Sequence, residues 1–315
     1  MNLLEETRDG YTISADMKKV WAVEMKLLKK LLDVCNRHHL RIWAEGGTLL
    51  GTIRHHGFIP WDDDIDMAML RDDYDKLQAI AREEFQAPFF FQSGYTDQFA
   101  WGFSKLRMDG TAAILPSDIY QQHHLGIFID IFCYDAVPDD KNEIKKQMIM
   151  REKKIRMLQS YCHSTWSFSD IMHNVNIIRA KWIVHKNGFV KCFMEYEDIF
   201  KKNNITDFDN VSFISFYFEL ERFLRNKHWY DETIYLPFED ILIPVPKDYD
   251  KILKLQYGDY MKPVHVPTMH GGFEVLDPDR SYLEFLPSLR KKHKHDIWKL
   301  RRELLFKRLG FKDLK

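Results

Sequence analysis

No Cys-x-x-Cys pair occurs in the chain, and its four cysteines, Cys35, Cys133, Cys162 and Cys192, stand far apart. Neither a zinc ribbon nor a disulfide framework is signalled, so the thiols read as core residues. Long apolar runs are missing as well: no stretch of about 18 apolar residues, the length that crosses a bilayer, appears anywhere. The opening Met1-Asn2-Leu3-Leu4-Glu5-Glu6 lacks a basic segment followed by an apolar one, which predicts a protein that stays in the cytoplasm. Net charge is nearly absent, at −1, and no nucleic-acid partner is expected. That balance hides an asymmetry, because residues 289–315 carry 11 Lys or Arg against 3 Asp or Glu. No internal repeat or low-complexity tract stands out.

What is present is core material and alternation. Hydrophobic residues make up 45% and aromatics 14% of the 315 positions, enough for a sizeable core, and 30% charged residues supply a polar surface. Val20, Val23, Leu27, Leu28, Leu31 and Leu32 recur at helical period, which predicts an amphipathic helix over 15–39 with Ser14 as N-cap. A short β-prone piece at 41–44, a glycine pair and a helical turn at 48–54 follow. Then come an acidic strand at 64–70, a helix at 71–85, and β-type segments at 88–92, 100–107 and 126–132. Alternating strands and helices place the chain in the α/β or α+β class. Residues 139–202 turn helical and rich in Lys, Arg and Met, with a break at Ser167-Phe168-Ser169-Asp170, and read as an insertion or lid. Pro244 and Pro246 close an extended segment at 237–246, and a short helix from Asp248 to Tyr257 ends near Gly258.

The chemistry concentrates at Asp62-Asp63-Asp64-Ile65-Asp66, set between apolar residues. On a strand, alternation predicts Asp62, Asp64 and Asp66 on one face, with Asp63 and Ile65 on the other. Two carboxylates about 4 Å apart repel by roughly 4 kcal/mol at an effective dielectric near 20. Such a group needs a cation, and Mg²⁺, with Mn²⁺ as its substitute, takes carboxylate oxygens together with substrate phosphates. Asp130 stands alone in the apolar strand Gly126–Phe132 and is the natural third-strand ligand; pairing with an arginine is the alternative. Two metals could then clamp a diphosphate, while Asp64, Asp66 or Asp130 accepts the proton of an attacking hydroxyl.

Gly46, Gly47 and Thr48 precede a helical turn, where amide N–H groups can meet phosphate; a plain tight turn is the alternative. Arg54, Lys105 and Arg107 are candidate phosphate partners, or else a solvated edge. Trp61, Trp101 and Phe103 could wall a cationic head group, or simply fill the core. His55-His56 and His123-His124 do not have zinc-ligand spacing.

The stretches Glu45-Gly46-Gly47-Thr48-Leu49-Leu50-Gly51-Thr52-Ile53-Arg54-His55 and Gly57-Phe58-Ile59-Pro60-Trp61-Asp62-Asp63-Asp64-Ile65-Asp66 resemble the signature of the LicD family. Gly126–Phe132, Pro237-Phe238-Glu239, Ile243–Tyr249 and Tyr257-Gly258-Asp259-Tyr260-Met261 resemble its later blocks, so the likeness runs over roughly 40–262. The resemblance implies a nucleotidyltransferase-like fold, a mixed sheet flanked by helices. It also implies transfer of a phospho-alcohol, most often phosphocholine from CDP-choline, to a glycan hydroxyl with release of CMP. Fukutin and fukutin-related protein are similar relatives that use CDP-ribitol. The family's metal acids fall on Asp62, Asp64, Asp66 and Asp130, and its phosphate loop on Gly46 and Gly47. A departure follows the Tyr-Gly-Asp block, where Lys262-Pro263-Val264-His265-Val266-Pro267 replaces a Pro-Pro pair and a His-Gly-Gly turn occupies 270–272.

The expected organisation is one catalytic domain over 1–288, with the insertion inside it, and a basic amphipathic tail over 289–315. Ile297, Trp298, Leu300, Leu304, Leu305 and Leu309 alternate there with Lys and Arg. Such a helix suits the inner face of an anionic membrane, where lipid-linked glycan or teichoic-acid precursors are built; a helix packed on the body is the alternative. Other functions compatible with the acids are transfer of an NMP group to a small molecule or RNA end, and a non-catalytic glycan-binding scaffold.

Overall fold

The apolar stripe of residues 15–39 forms a helix. In a computed structural model, which describes residues 1–162, 171–205, 209–213, 215, 220–264 and 272–294, α1 spans Ala15–Arg37. Ser14 caps it, its hydroxyl accepting from Met17 N at 3.2 Å. Ahead of α1 lies a hairpin of β1 (Glu6–Arg8) and β2 (Tyr11–Ile13). After it come β3 (Trp43–Ala44), α2 (Gly46–Arg54), β4 (Asp66–Leu70) and α3 (Arg71–Glu84). Strands β5 (Phe89–Gln92), β6 (Ser104–Met108), β7 (Ala112–Ile114) and β8 (Phe128–Ala136) continue the alternation.

One mixed sheet organises these elements. The order runs β10-β9-β8-β4-β3, where β9 is Asn210–Ser212 and β10 is Arg225–Asn226, and β6 joins β8 while carrying β5. Only the β4–β8 pairing within it is parallel; β3–β4, β6–β8, β5–β6, β8–β9 and β9–β10 are antiparallel. All nine residues of β8 are buried, as a strand with partners on both sides and cover on both faces requires. Trp21, Leu27, Leu28 and Leu31 of α1 share the core with Met67, Met69, Ile129 and Ile131. The mixed α/β architecture is therefore the one expected.

Residues 141–162 and 171–201 form a helical layer with its own small core. It comprises α4 (Lys141–Cys162), α5 (Ile171–Asn187) and α6 (Phe189–Lys201), which enclose Ile155, Leu158, Val184, Phe193 and Phe200. The expected break at 167–170 lies outside the described residues. Buried Arg71 ties this layer to the sheet: its guanidinium meets Asp135 at 2.7 Å and Glu197 at 3.3 Å. A short α7 (Leu220–Phe223) precedes β10.

Two boundaries differ from the expectation. The extended segment at 237–246 belongs to a hairpin, β11 (Thr233–Phe238) with β12 (Ile241–Pro246), turned at Glu239-Asp240. The acidic strand begins only at Asp66, so Asp62, Asp63 and Asp64 precede it. Helix α8 (Tyr249–Tyr257) ends before Gly258 as expected. Then β13 (Val275–Asp277) pairs with β7, and a helix covers 282–294. Arg290 docks it on the body, donating from Nε to the Ile119 carbonyl at 2.7 Å. Residues 297–309, the apolar and basic core of the tail, lie outside the described residues, as do 265–271. Among the described residues, no helix is long and apolar enough to cross a membrane.

Candidate active site

Strand pairing brings the distant acids together. In the parallel β4–β8 ladder Asp66 stands in register with Asp130, and in the antiparallel β6–β8 ladder Lys105 stands opposite Asp130. Partners in register point to the same side of a sheet, so Asp66, Asp130 and Lys105 form a row across three strands. Lys105 Nζ meets Asp130 Oδ1 at 2.6 Å and lies 3.4 Å from the centre of the Phe128 ring. Burial lowers the affinity of this amine for its proton, and the Asp130 carboxylate opposes that effect. The backbone binds the row too, with Asp130 N donating to the Ile65 carbonyl at 2.8 Å.

Asp62, Asp63 and Asp64 sit in the loop that enters β4, and a carboxylate oxygen of each lies within 4.8 Å of the others. Strand alternation does not sort them, because pairing starts after Ile65; Asp63 is therefore one of the group, not a residue of the opposite face. Trp21 of α1 fixes the loop by donating its indole N–H to the Asp62 carbonyl at 3.1 Å, and its ring stacks on Phe58 at 4.4 Å.

The N-terminus of α2 closes on the acids from the other side. Gly46 has φ +52°, and a Cβ there would lie 2.9 Å from Asp66 Oδ2; a Cβ at Gly47 would overlap Asp62 Oδ2. The glycine pair thus lies within the first turn of the helix and lets carboxylates approach its amides, a favourable end of the helix for negative charge. Thr48 adds a clamp, its hydroxyl accepting from Asp66 N at 2.8 Å. Glu45, the residue before the helix, is itself buried and held by Arg225 through two bonds, 2.6 and 2.7 Å, and by the Tyr134 hydroxyl at 3.0 Å.

One acid of the site was not singled out by sequence. Glu24 on α1 is 2% exposed, and its Oε2 is buried without a hydrogen-bond partner. Burial first, then Asp64, Asp63, Asp62 and Asp130, push its carboxyl well above the usual range. Asp66 is pushed up in the same way, by burial and then by Asp64, Asp130 and Asp62. Sequence carries a faint signal for Glu24: it is an acid on the apolar stripe, four residues after Val20 and three before Leu27. Tyr257 is a further neighbour; burial and then Glu45, Asp66 and Asp62 raise its hydroxyl's pKa. The donor set is all carboxylate, and an orphaned buried oxygen points to a missing positive partner. It suits a hard divalent cation bound through oxygen.

Comparison with known proteins identifies the family. Residues 39–177 match the family described as "LicD/FKTN/FKRP, nucleotidyltransferase domain". The chain is 30% identical over 261 residues to the "Lipopolysaccharide cholinephosphotransferase LicD" of Haemophilus influenzae, covering 78% of this chain and 93% of that protein. It belongs to the LicD family. An uncharacterized Rickettsia prowazekii protein is 28% identical over 139 residues, 44% of this chain and 48% of its own. The human "Ribitol 5-phosphate transferase FKRP" is 40% identical over 45 residues, 14% of this chain and 9% of its own.

The remaining candidates in this LicD-family chain fall in different places. Arg107 is buried, with Nε on Gln92 Oε1 at 2.5 Å and a terminal nitrogen on the Gly126 carbonyl at 2.7 Å, so its guanidinium braces the strands beside the acids. Arg54 lies eight residues along α2 from Gly46, about 12 Å of helix rise, and donates to the Tyr260 carbonyl at 2.9 Å. Lys105 and Arg107 share one face, as expected, yet that face is interior and not a solvated edge. Trp101 and Phe103 meet at 6.2 Å between ring centres, whereas Trp61 stands by Tyr11 and His55. Cys35, Cys133 and Cys192 are buried and Cys162 half-buried, all as free thiols.

Proposed function

We propose that this LicD-family protein transfers a phospho-alcohol, phosphocholine in the first instance, from a CDP-linked donor to a hydroxyl of a cell-surface glycan or teichoic-acid precursor. The observation that carries the reading is the register of Asp66 with Asp130 beside the glycine-started helix α2, with Asp62, Asp63, Asp64 and Glu24 around them. It is supported by the cholinephosphotransferase relationship. Asp62, Asp64, Asp66 and Asp130 would hold Mg²⁺ or Mn²⁺, assisted by Glu24. When bound, the cation neutralises the diphosphate and favours an in-line displacement.

The chain's own groups do the rest. Amides at Gly46, Gly47 and Thr48 receive the diphosphate oxygens. Lys105 holds Asp130 in place, and Arg107 and Gln92 keep β5 and β6 in register behind it. A carboxylate of the Asp64, Asp66 and Asp130 set accepts the proton of the acceptor hydroxyl. The freed oxygen bonds to the phosphorus bearing the alcohol, and the bond from that phosphorus to the bridging oxygen breaks, so CMP leaves. The test is phosphorus NMR of reactions containing CDP-choline, CDP-glycerol or CDP-ribitol with a glycan acceptor and Mg²⁺. CMP with a phosphodiester product is expected; a free phospho-alcohol in place of CMP, the mark of attack at the other phosphorus, refutes the reading.

Gly47→Ala should drive the Asp62 carboxylate out of position, because the added methyl group would occupy its space. Mn²⁺ affinity measured by calorimetry is expected to fall about 10–100-fold, the usual consequence of disturbing a ligand's support. Wild-type affinity would show that Asp62 does not bind the ion. The basic tail is proposed to rest on anionic membrane. A chain ending at Lys294, which keeps the docking contact of Arg290, should lose flotation with phosphatidylserine liposomes; undiminished flotation removes the tail from the account.

A further inference from the structure

Away from the acids, a cavity of about 560 Å³ lies between the loop after β5, the loop before β8, and helices α4 and α5. That is within the range of small-molecule pockets. Its lining mixes chemistries: the rings of Tyr161 and Trp182, the ammonium of Lys181, the imidazole of His185, the amide of Gln98 and the carboxylate of Asp97. Asp97 is fixed by one oxygen only. Its Oδ2 accepts from Gln92 Nε2 at 2.8 Å and from His124 N at 3.0 Å, while Oδ1 is buried with no partner. Across from it, Lys181 and His185 are one turn apart on α5 with Trp182 beside them, and all three are exposed.

A sugar is the complement of such a lining. Its hydroxyls donate to a carboxylate and accept from ammonium and amide groups, and the positive C–H face of its ring rests on the negative face of an indole or phenol. A diphosphate would instead set its oxygens against Asp97. Position adds to chemistry. Gln92, which orients Asp97, stands in register with Lys105, and Lys105 with Asp130. Two strand spacings of about 4.8 Å each therefore separate the residue behind the cavity wall from the acidic row. Aromatic contacts follow the same route: His123 in the lining meets Phe99 at 5.5 Å, Phe99 meets Phe103 at 5.7 Å, and Phe103 lies 5.2 Å from Lys105 Nζ.

We propose that this cavity is a glycan subsite, holding a sugar residue of the acceptor close to the one whose hydroxyl reacts. The role of that sugar as acceptor rests on the transfer reading above; the binding of a sugar does not. The experiment is saturation-transfer NMR on the full chain with methyl glycosides of hexoses and N-acetylhexosamines, and with disaccharides built from them. Wild type and Asp66→Asn should both bind at least one probe. Trp182→Ala should weaken that binding about tenfold, the loss of one aromatic face, without change in fold, since Trp182 is 65% exposed. Lys181→Ala should weaken it as well. No signal from any probe, or undiminished binding in both variants, overturns the proposal, as does displacement of the sugar by inorganic phosphate. CMP release from CDP-choline in the presence of Mg²⁺ and a glycan acceptor reads the chemistry separately. Its absence in wild type, with sugar binding intact, would fault the transfer reading and leave the subsite standing.

Discussion

Asp66→Asn is expected to reduce transfer on the order of 10³-fold, the scale of losing one charged group from a preorganised site, while raising the melting temperature of the metal-free protein. The two effects share a cause. Burial and the carboxylates of Asp64, Asp130 and Asp62 make ionised Asp66 unfavourable when no cation is present. The native state therefore holds a proton here more tightly than the unfolded chain does. For an acid whose pKa is raised on folding, stability falls as pH climbs from the ordinary value of 3.8 toward the raised one. Asparagine keeps the shape and removes the charge, so in EDTA the variant should melt higher at neutral pH and lose part of that slope. Asp130→Asn should go the other way in stability, because it strands the buried Lys105 ammonium. Differential scanning calorimetry of both variants decides the matter. Shifts of the same sign, or a fully active Asp66→Asn enzyme, sink the assignment.

The second large effect belongs to Arg225, which is fully buried and reaches both oxygens of Glu45 along with the Tyr230 hydroxyl and Gln256 Oε1. Arg225→Met leaves Glu45 charged in the interior. Breaking one side of a buried pair costs about 3–5 kcal/mol, on the order of 10 °C in melting temperature for a chain of this size. Glu45 immediately precedes Gly46, so the glycine turn and the metal acids should loosen together. Adding Glu45→Gln to Arg225→Met should recover part of the loss, since the stranded charge is gone. A single variant within about 1 kcal/mol of wild type by urea denaturation would show that the pair does not hold the helix.

Much of this arrangement was legible in the residues. Helical period revealed α1, and a single acid in an apolar strand singled out Asp130, which the β4–β8 register then set beside Asp66. The glycine pair was seen, but its work was not: it makes room for carboxylates as well as offering amides. Alternation misplaced Asp63, because that rule needs a strand and pairing begins only at Asp66. Glu24 escaped because one charge on an apolar stripe resembles an ordinary interruption until tertiary packing shows what faces it. Lys105 and Arg107 read as phosphate partners or else a solvated edge, since a sequence does not reveal which strands cover which. Their partners, Asp130, Gln92 and the Gly126 carbonyl, come from other strands and loops.

The buried Glu24, with Trp21 gripping the Asp62 loop, has a practical consequence. The segment matched to the family begins at residue 39, yet the floor of the site comes from α1, and Arg225 and Tyr257 reach it from far downstream. A fragment cut to residues 39–177 would carry the whole acidic motif and still lack the groups that hold it in place. Such a fragment should be inert, and grafting the motif alone onto another scaffold should fail for the same reason.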